Sequence, residues 1–295
     1  MLALVAGRGR LPELVAAAAA PDVVICSLED QVPDVLQPEI TFRLETLGSF
    51  LLELGKRGVS DVCFCGAIDR PRLDPARLDA ETAPLVPLLQ GALGQGDDGA
   101  LRAVIGLFEK TGFTVRGAHE LTPEVLLAES VPTQRAIRKP HDDDARVASA
   151  ILSEMAEADQ GQACVVRKRT EIAREDARGT DAMLEDLKMS GLDAPPELWV
   201  NDTAELTAAG WNWLGDLRKR NHNGPAAGAI LFKAPKPGQD RRADLPTIGP
   251  DTALGAACAG FDGIVIEAEG VIVLEGTRVV TLLDAMQMFL WARKA

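Results

Sequence analysis

No apolar run in the 295-residue chain approaches the roughly 20 residues needed to span a bilayer. The opening residues Met1-Leu2-Ala3-Leu4-Val5 carry neither the basic leader nor the cleavage site of a signal peptide. Cytoplasmic residence is the resulting expectation. Cysteine is scarce and odd in number. Cys26, Cys63, Cys65, Cys164 and Cys258 lie inside or beside apolar runs, which predicts buried free thiols. Cys63 and Cys65 straddle Phe64 in a strand-like run, so both face one side of a sheet. No Cys-x-x-Cys pair with a matching second pair is present to build a zinc site. Basic residues are in deficit, 31 against 44 acidic, for a net charge of −13. Such a chain repels nucleic acid unless its cations cluster. The one notable cluster, 233–242, lies in a Pro-rich loop, which suits a small phosphate ligand better than a duplex. Also missing are an internal repeat and the motif G-x-x-x-x-G-K-[ST], so a P-loop NTPase is disfavoured.

What is present is enough apolar material for two domains, 46% of the residues. Strands alternate with helices, which predicts a mostly parallel sheet in the first half. Strands are expected at 2–6, 23–27, 62–65 and 114–116, with helices opening at Pro12 and spanning 45–55 and 97–111. The polar, Pro-containing stretch 123–142 reads as a linker. Beyond it, Asp142-Asp143-Asp144 offers caps for a helix running to 158. Strands then fall at 163–166, 229–232, 263–267 and 271–274, and helices at 180–187, 252–259 and 281–291. The fold class is α/β, with a Rossmann-like parallel sheet in 1–130 and a mixed α/β catalytic domain in 131–295.

The richest constellation is Lys233-Ala234-Pro235-Lys236-Pro237-Gly238-Gln239-Asp240-Arg241-Arg242-Ala243-Asp244-Leu245-Pro246-Thr247-Ile248-Gly249. A polyproline-type repeat places Lys233 and Lys236 on one side, a good pincer for pyrophosphate. A solvated linker with two lysines is the alternative. Nearby arginines favour the carboxylate form of Asp244, which suits a metal ligand or water-positioning group rather than a general acid. On spacing alone, a turn-capping or ion-pairing Asp is the stronger reading.

Three further segments carry weaker signals. Gly7-Arg8-Gly9-Arg10-Leu11-Pro12 joins a strand to a helix, where backbone N–H groups can meet an anion. Pro12 stands where G-x-G-x-x-G needs its last glycine. In Gly179-Thr180-Asp181-Ala182-Met183, helix capping explains Thr180 and Asp181, and a second anion-binding helix end is the alternative. Gly117-Ala118-His119-Glu120 follows a strand, as does the loop from Cys65 and Gly66 to Pro71, and carboxyl ends of strands are where α/β sheets bind ligands. His119 is one of only three histidines. The tryptophans are explained by packing, and 192–223 has no assigned role.

Taken together, these blocks resemble the UDP-2,3-diacylglucosamine pyrophosphatases of lipid A biosynthesis in Gram-negative bacteria. The resemblance rests on the turn ending in Leu11-Pro12, the segment 62–71, and the stretch from Gly96-Asp97-Asp98 through Glu109-Lys110-Thr111-Gly112-Phe113 to Gly117-Ala118-His119-Glu120. Gly179-Thr180-Asp181-Ala182-Met183 and the 233–249 block complete it. It implies a two-domain hydrolase with its substrate between the domains. The reaction is dependent on Mg²⁺ or another divalent cation such as Mn²⁺ and gives UMP and 2,3-diacylglucosamine 1-phosphate (lipid X), with water attacking the phosphorus nearer the sugar. The Asp-Leu-Pro-Thr-Ile-Gly aspartate, here Asp244, is the implied catalytic and metal-binding residue, with Lys233, Lys236 and Thr247 as phosphate neighbours. Two departures are visible: Arg8 and Arg10 in a turn usually richer in glycine, and Ala67 where a polar residue is common. An acylated substrate further implies an apolar groove and peripheral contact with the inner membrane surface, and a homodimer is a further expectation. The rivals are a non-enzymatic nucleotide-sugar binding protein and a Rossmann-type dehydrogenase.

Overall fold

The computed structural model describes residues 1–69, 73–87, 97–220, 224–242 and 244–295. Arg70, Pro71, Gly96 and Ala243, named above in motifs, lie outside them. The chain divides into two compact units, one of Met1–Glu124 with Gln239–Asp244, the other of Val125–Gly238 with Leu245–Ala295.

The first unit is built on a parallel sheet of five strands in the order β3-β2-β1-β4-β5. These are β1 (Leu2–Ala6), β2 (Val23–Leu28), β3 (Ile40–Phe42), β4 (Asp61–Cys65) and β5 (Thr114–Arg116). β1 is central and buried at every position, so it is apolar throughout instead of alternating. Its side chains divide by parity. Ala3 and Val5 pack with α2 (Leu47–Lys56) and α3 (Asp97–Lys110) through Phe50, Ile105 and Phe108. Leu2, Leu4 and Ala6 pack on the other face with Val15 of α1 (Leu11–Ala19) and Ala118 of α4 (Ala118–Leu121). Cys63 and Cys65 share that second face, while Phe64 meets the Phe108 ring edge-on at 5.1 Å between centroids. All five thiols are free and buried. Burial pushes Cys26 and Cys164 up to about 12, which keeps them protonated and unreactive.

In the second unit the sheet runs β12-β10-β8-β6-β7. β8 (Ile230–Lys233), β10 (Gly263–Glu267) and β12 (Phe289–Arg293) are parallel, while β6 (Ala163–Arg167) and β7 (Thr170–Arg174) form an antiparallel hairpin on one edge. One face, with Cys164, Ile230, Phe232, Val265 and Phe289, is covered by α5 (Lys139–Glu157). The other carries the larger core, to which α6 (Thr180–Asp186), α7 (Ala208–Arg220), α8 (Pro250–Ala259) and α9 (Gly276–Ala285) contribute. A two-stranded sheet pairs β9 (Thr247–Ile248) with β11 (Ile272–Val273).

Three segments depart from the sequence reading. The expected final helix 281–291 is instead the end of α9 followed by β12. Gln287 at φ 55 breaks the helix, and Phe289, Leu290 and Ala292 are then buried on both faces of the sheet. The expected linker runs beside β12, where Ser130 and Ala292 exchange N–H···O bonds of 3.1 and 2.9 Å. Helix α5 opens at Lys139, a turn before the Asp triplet, with Pro140 in its first turn and His141 Nδ1 accepting the Arg138 N–H.

Asp144, expected as a cap, is buried and holds the β6–β7 turn. Its carboxylate accepts the N–H groups of Lys168 (3.1 Å) and Arg169, residues at φ 51 and 62. Asp144→Ala is expected to lower stability by about 2 kcal/mol, the cost of leaving this turn without its charged acceptor. The urea midpoint measures this, and a midpoint equal to that of the parent would refute the role.

Candidate active site

Three loops leave the carboxyl ends of adjacent strands in the first unit. Gly7 follows β1, Gly66 follows β4 and Gly117 follows β5. The first two loops are laced together, Gly7 N–H to Cys65 O at 2.8 Å and Arg8 N–H to Ala67 O at 2.9 Å. They approach so closely that a Cβ on Gly7 would lie 2.5 Å from Ala67 O, and one on Gly66, at φ +92, would lie 2.8 Å from Arg8 O. The Gly9 N–H donates to the Asp34 carboxylate at 2.7 Å. The N–H groups of Gly7, Arg8 and Gly9 are therefore engaged internally, the last by Asp34. Arg8 forms a two-pronged pair with Asp69 at 3.1 and 2.9 Å, and Arg10 pairs with Glu13. Gln31, unremarked in the sequence, clasps the Asp69 backbone through its side-chain amide. Leu11 opens α1, with Pro12 buried behind it.

The third loop is the one that meets the Asp244 segment. Gly117 N–H donates to Glu120 at 2.9 Å, and Ala118 is buried in the core. A Cβ on Gly117 would lie 2.5 Å from the His119 ring and 3.2 Å from Arg242 Cα, so the two segments run close together here. Arg242 ties this segment down. Its guanidinium grips both Asp240 oxygens at 2.9 and 2.7 Å and reaches Glu109 of α3. The Arg242 hydrogen bond holds the Asp240 carboxyl below its ordinary value. Asp244 itself is exposed, and Gln239 donates to its Oδ2 at 2.7 Å. The segment is thus given a fixed end beside a strand terminus.

His119 sits in this unit with Nδ1 buried and, among the described residues, without a hydrogen-bond partner. Burial pulls the imidazole below its ordinary 6.5, opposed by Glu120 and assisted by Arg241. A depressed value means that the folded state binds the proton less well than the unfolded chain. Stability contributed by neutral His119 is therefore present above about 6.5 and is lost as pH falls below it. The His119 ring resonance is expected to titrate below 6.5 by NMR. A midpoint at or above that value would contradict the burial argument.

In the second unit, Lys233 is the last residue of β8 and is buried. Its Nζ donates to Thr180 Oγ1 at 2.8 Å, and that hydroxyl donates to Glu175 at 2.8 Å. Gly179, at φ +87, turns the chain into α6 so that Thr180 faces inward, while Asp181 stays exposed in the first turn. Lys236 pairs with Asp159 at 2.7 Å. Strand β8 runs through Lys233, so the two lysines are held by separate partners instead of forming one polyproline edge. Thr247 lies on β9, its hydroxyl directed to Leu245 O at 3.3 Å. Glu175 and Asp159 were not foreseen, because their partners lie 5 and 77 residues away.

Among the described residues, no group of three or more His, Cys, Asp or Glu side chains could hold a metal ion. A cation bound through one carboxylate and the oxygens of a phosphorylated ligand needs no such cage, and Asp244 suits that mode. No helix among the described residues is long and apolar enough to cross a membrane.

Comparison with known proteins agrees with the resemblance read from the motifs. The family model for the LpxI N-terminal domain matches residues 1–125, and that for the LpxI C-terminal domain matches residues 128–291. A relative from Caulobacter vibrioides (strain ATCC 19089 / CIP 103742 / CB 15), named UDP-2,3-diacylglucosamine pyrophosphatase LpxI, is 33% identical over 293 residues. The match covers 98% of this chain and 95% of that protein.

Proposed function

The chain belongs to the LpxI family, and from that premise we propose that it hydrolyses UDP-2,3-diacylglucosamine to UMP and 2,3-diacylglucosamine 1-phosphate. The observation that carries this reading is the similarity along both halves of the chain to a relative named for that pyrophosphatase activity. The chemistry of the residues supports it. A pyrophosphate concentrates negative charge, and catalysis of its cleavage consists chiefly of positioning and charge stabilisation. Asp244 orients the attacking water toward the phosphorus nearer the sugar. Lys233 and Lys236 neutralise the phosphate oxygens, and Thr180 holds the Lys233 ammonium in place. The Arg242 clamp keeps the Asp244 segment ordered between turnovers. Asp244 would hold a divalent cation, Mg²⁺ or Mn²⁺, which would supply further neutralisation of the pyrophosphate.

The substrate's acyl chains bring the enzyme to the cytoplasmic face of the inner membrane, since each buried CH₂ is worth about 0.8 kcal/mol. The purified chain is expected to release UMP from UDP-2,3-diacylglucosamine with Mg²⁺ or Mn²⁺ and to stop when the cation is chelated. Binding without release would favour a nucleotide-sugar binding protein. Undiminished release in excess chelator would remove the metal from the scheme.

A further inference from the structure

A second cluster of cations lies in the second unit, at the opposite end of the sheet from Lys233. An open pocket of about 920 Å³ is formed where β8, β10 and β12 begin. Three arginines line it: Arg135, Arg138 and Arg218. So does Trp211, whose side chain lies seven residues before Arg218 on α7 and is 52% exposed. In a chain of net charge −13, three guanidiniums against two lining carboxylates, Asp262 and Asp284, leave this concavity locally positive.

The partners of each charge show what is left over. Asp262 is satisfied from inside: Arg135 donates to one oxygen at 2.9 Å, and His141, itself buried, donates to the other at 3.1 Å. The donor sense of His141 follows because its Nδ1 already accepts the Arg138 N–H. The other carboxylate of the pocket, Asp284, accepts the Gln134 N–H at 2.7 Å. Arg218 donates only to a neutral carbonyl, Ala285 O, at 3.3 Å, and Arg138 makes no side-chain bond among the described residues. Neither is matched by a carboxylate there. Two guanidiniums thus keep their forks for an external group, with the half-buried Asp262–Arg135 pair as a fixed floor.

We infer that this pocket binds a phosphate group, with Arg138 and Arg218 as its ligands and the Trp211 indole as an apolar wall at the mouth. Guanidinium forks match phosphate oxygens in pairs, and the volume admits a phosphorylated small molecule. The inference does not depend on the Asp244 chemistry. The same chemistry is offered by a free phosphoanion and by an anionic lipid headgroup, and these are separable.

The full chain would be titrated calorimetrically with inorganic pyrophosphate and sedimented with phosphatidylglycerol or phosphatidylcholine vesicles. The double variant Arg138→Gln/Arg218→Gln would be treated likewise, with Arg57→Gln, at the end of α2, as a control outside the pocket. Both arginines are exposed, so the double variant is expected to keep the parent's melting temperature. A saturable pyrophosphate event weakened about 100-fold in the double variant and kept in Arg57→Gln supports a free phosphoanion. Sedimentation with phosphatidylglycerol alone, lost in the same variant, supports a headgroup. If the double variant equals the parent in both assays, or if neither probe binds the parent, the inference is overturned.

Discussion

Replacing Asp244 with alanine is expected to lower kcat by about 10²-fold or more, while the melting temperature stays within a degree or two of the parent. The expectation of lost rate follows from its proposed place beside the reacting phosphorus. The expectation of kept stability follows from its surroundings. Asp244 is exposed, and the chain on either side is anchored without it. Before it, Arg242 binds Asp240 and Glu109. After it, Leu245 is buried and the Pro246 carbonyl accepts the Ile272 N–H at 2.9 Å. Removing the side chain therefore leaves these anchors in place. Circular dichroism and a melt on the same preparation separate the two effects. A variant that turns over at the parent's rate would assign the chemistry elsewhere.

The second large effect is expected at Lys233. Lys233→Met keeps the methylene stem that packs at the end of β8 and removes the ammonium. A loss of about 10²-fold in kcat/KM is expected, comparable to removing one charge-stabilising donor. Lys233 is 8% exposed, and its Nζ is fixed on Thr180, whose hydroxyl is in turn fixed on Glu175. Such a charge is positioned before substrate arrives, which lowers the reorganisation needed during reaction. Steady-state kinetics with a melt as control would show it. Unchanged kcat/KM in a folded Lys233→Met would make Lys233 a purely structural cation.

Some of this was legible in the sequence, and the reasons are local. Leu2–Ala6 and Gly263–Glu267 are short apolar runs bounded by turn residues, and both are strands as expected. Thr114–Arg116 was likewise placed by the glycine on either side. The residues 281–291 failed because Met286, Met288, Phe289, Leu290 and Trp291 fit either period, and length cannot choose when helix and strand abut. Strand β7, Thr-Glu-Ile-Ala-Arg, was invisible for two reasons. It is a charged edge strand, and its turn uses Lys168 and Arg169 at positive φ where glycine or asparagine is the usual signal. Helix α7 was hidden by Gly210 and Gly215, and its core leucines Leu214 and Leu217 emerge only from packing.

The candidate site divides along the same line. The 233–249 block announced itself by composition, since prolines, lysines and arginines rarely crowd so closely without a ligand or a partner. What the block is attached to was not announced. The bonds from Arg242 to Glu109 and from Lys236 to Asp159 span 133 and 77 positions, and no local pattern encodes them. Spacing also suggested free N–H groups at Gly7 and Gly9. The fold spends them on Cys65 and Asp34, a use that depends on which strand lies beside β1.

The decisive observation is the fate of the pyrophosphate itself. UDP-2,3-diacylglucosamine would be incubated with the purified chain and Mg²⁺ in ¹⁸O-labelled water, and the products weighed by mass spectrometry. Equal amounts of UMP and 2,3-diacylglucosamine 1-phosphate are expected, with the heavy oxygen on the sugar phosphate. Substrate recovered intact would contradict the hydrolase, and label carried on UMP would contradict the point of attack.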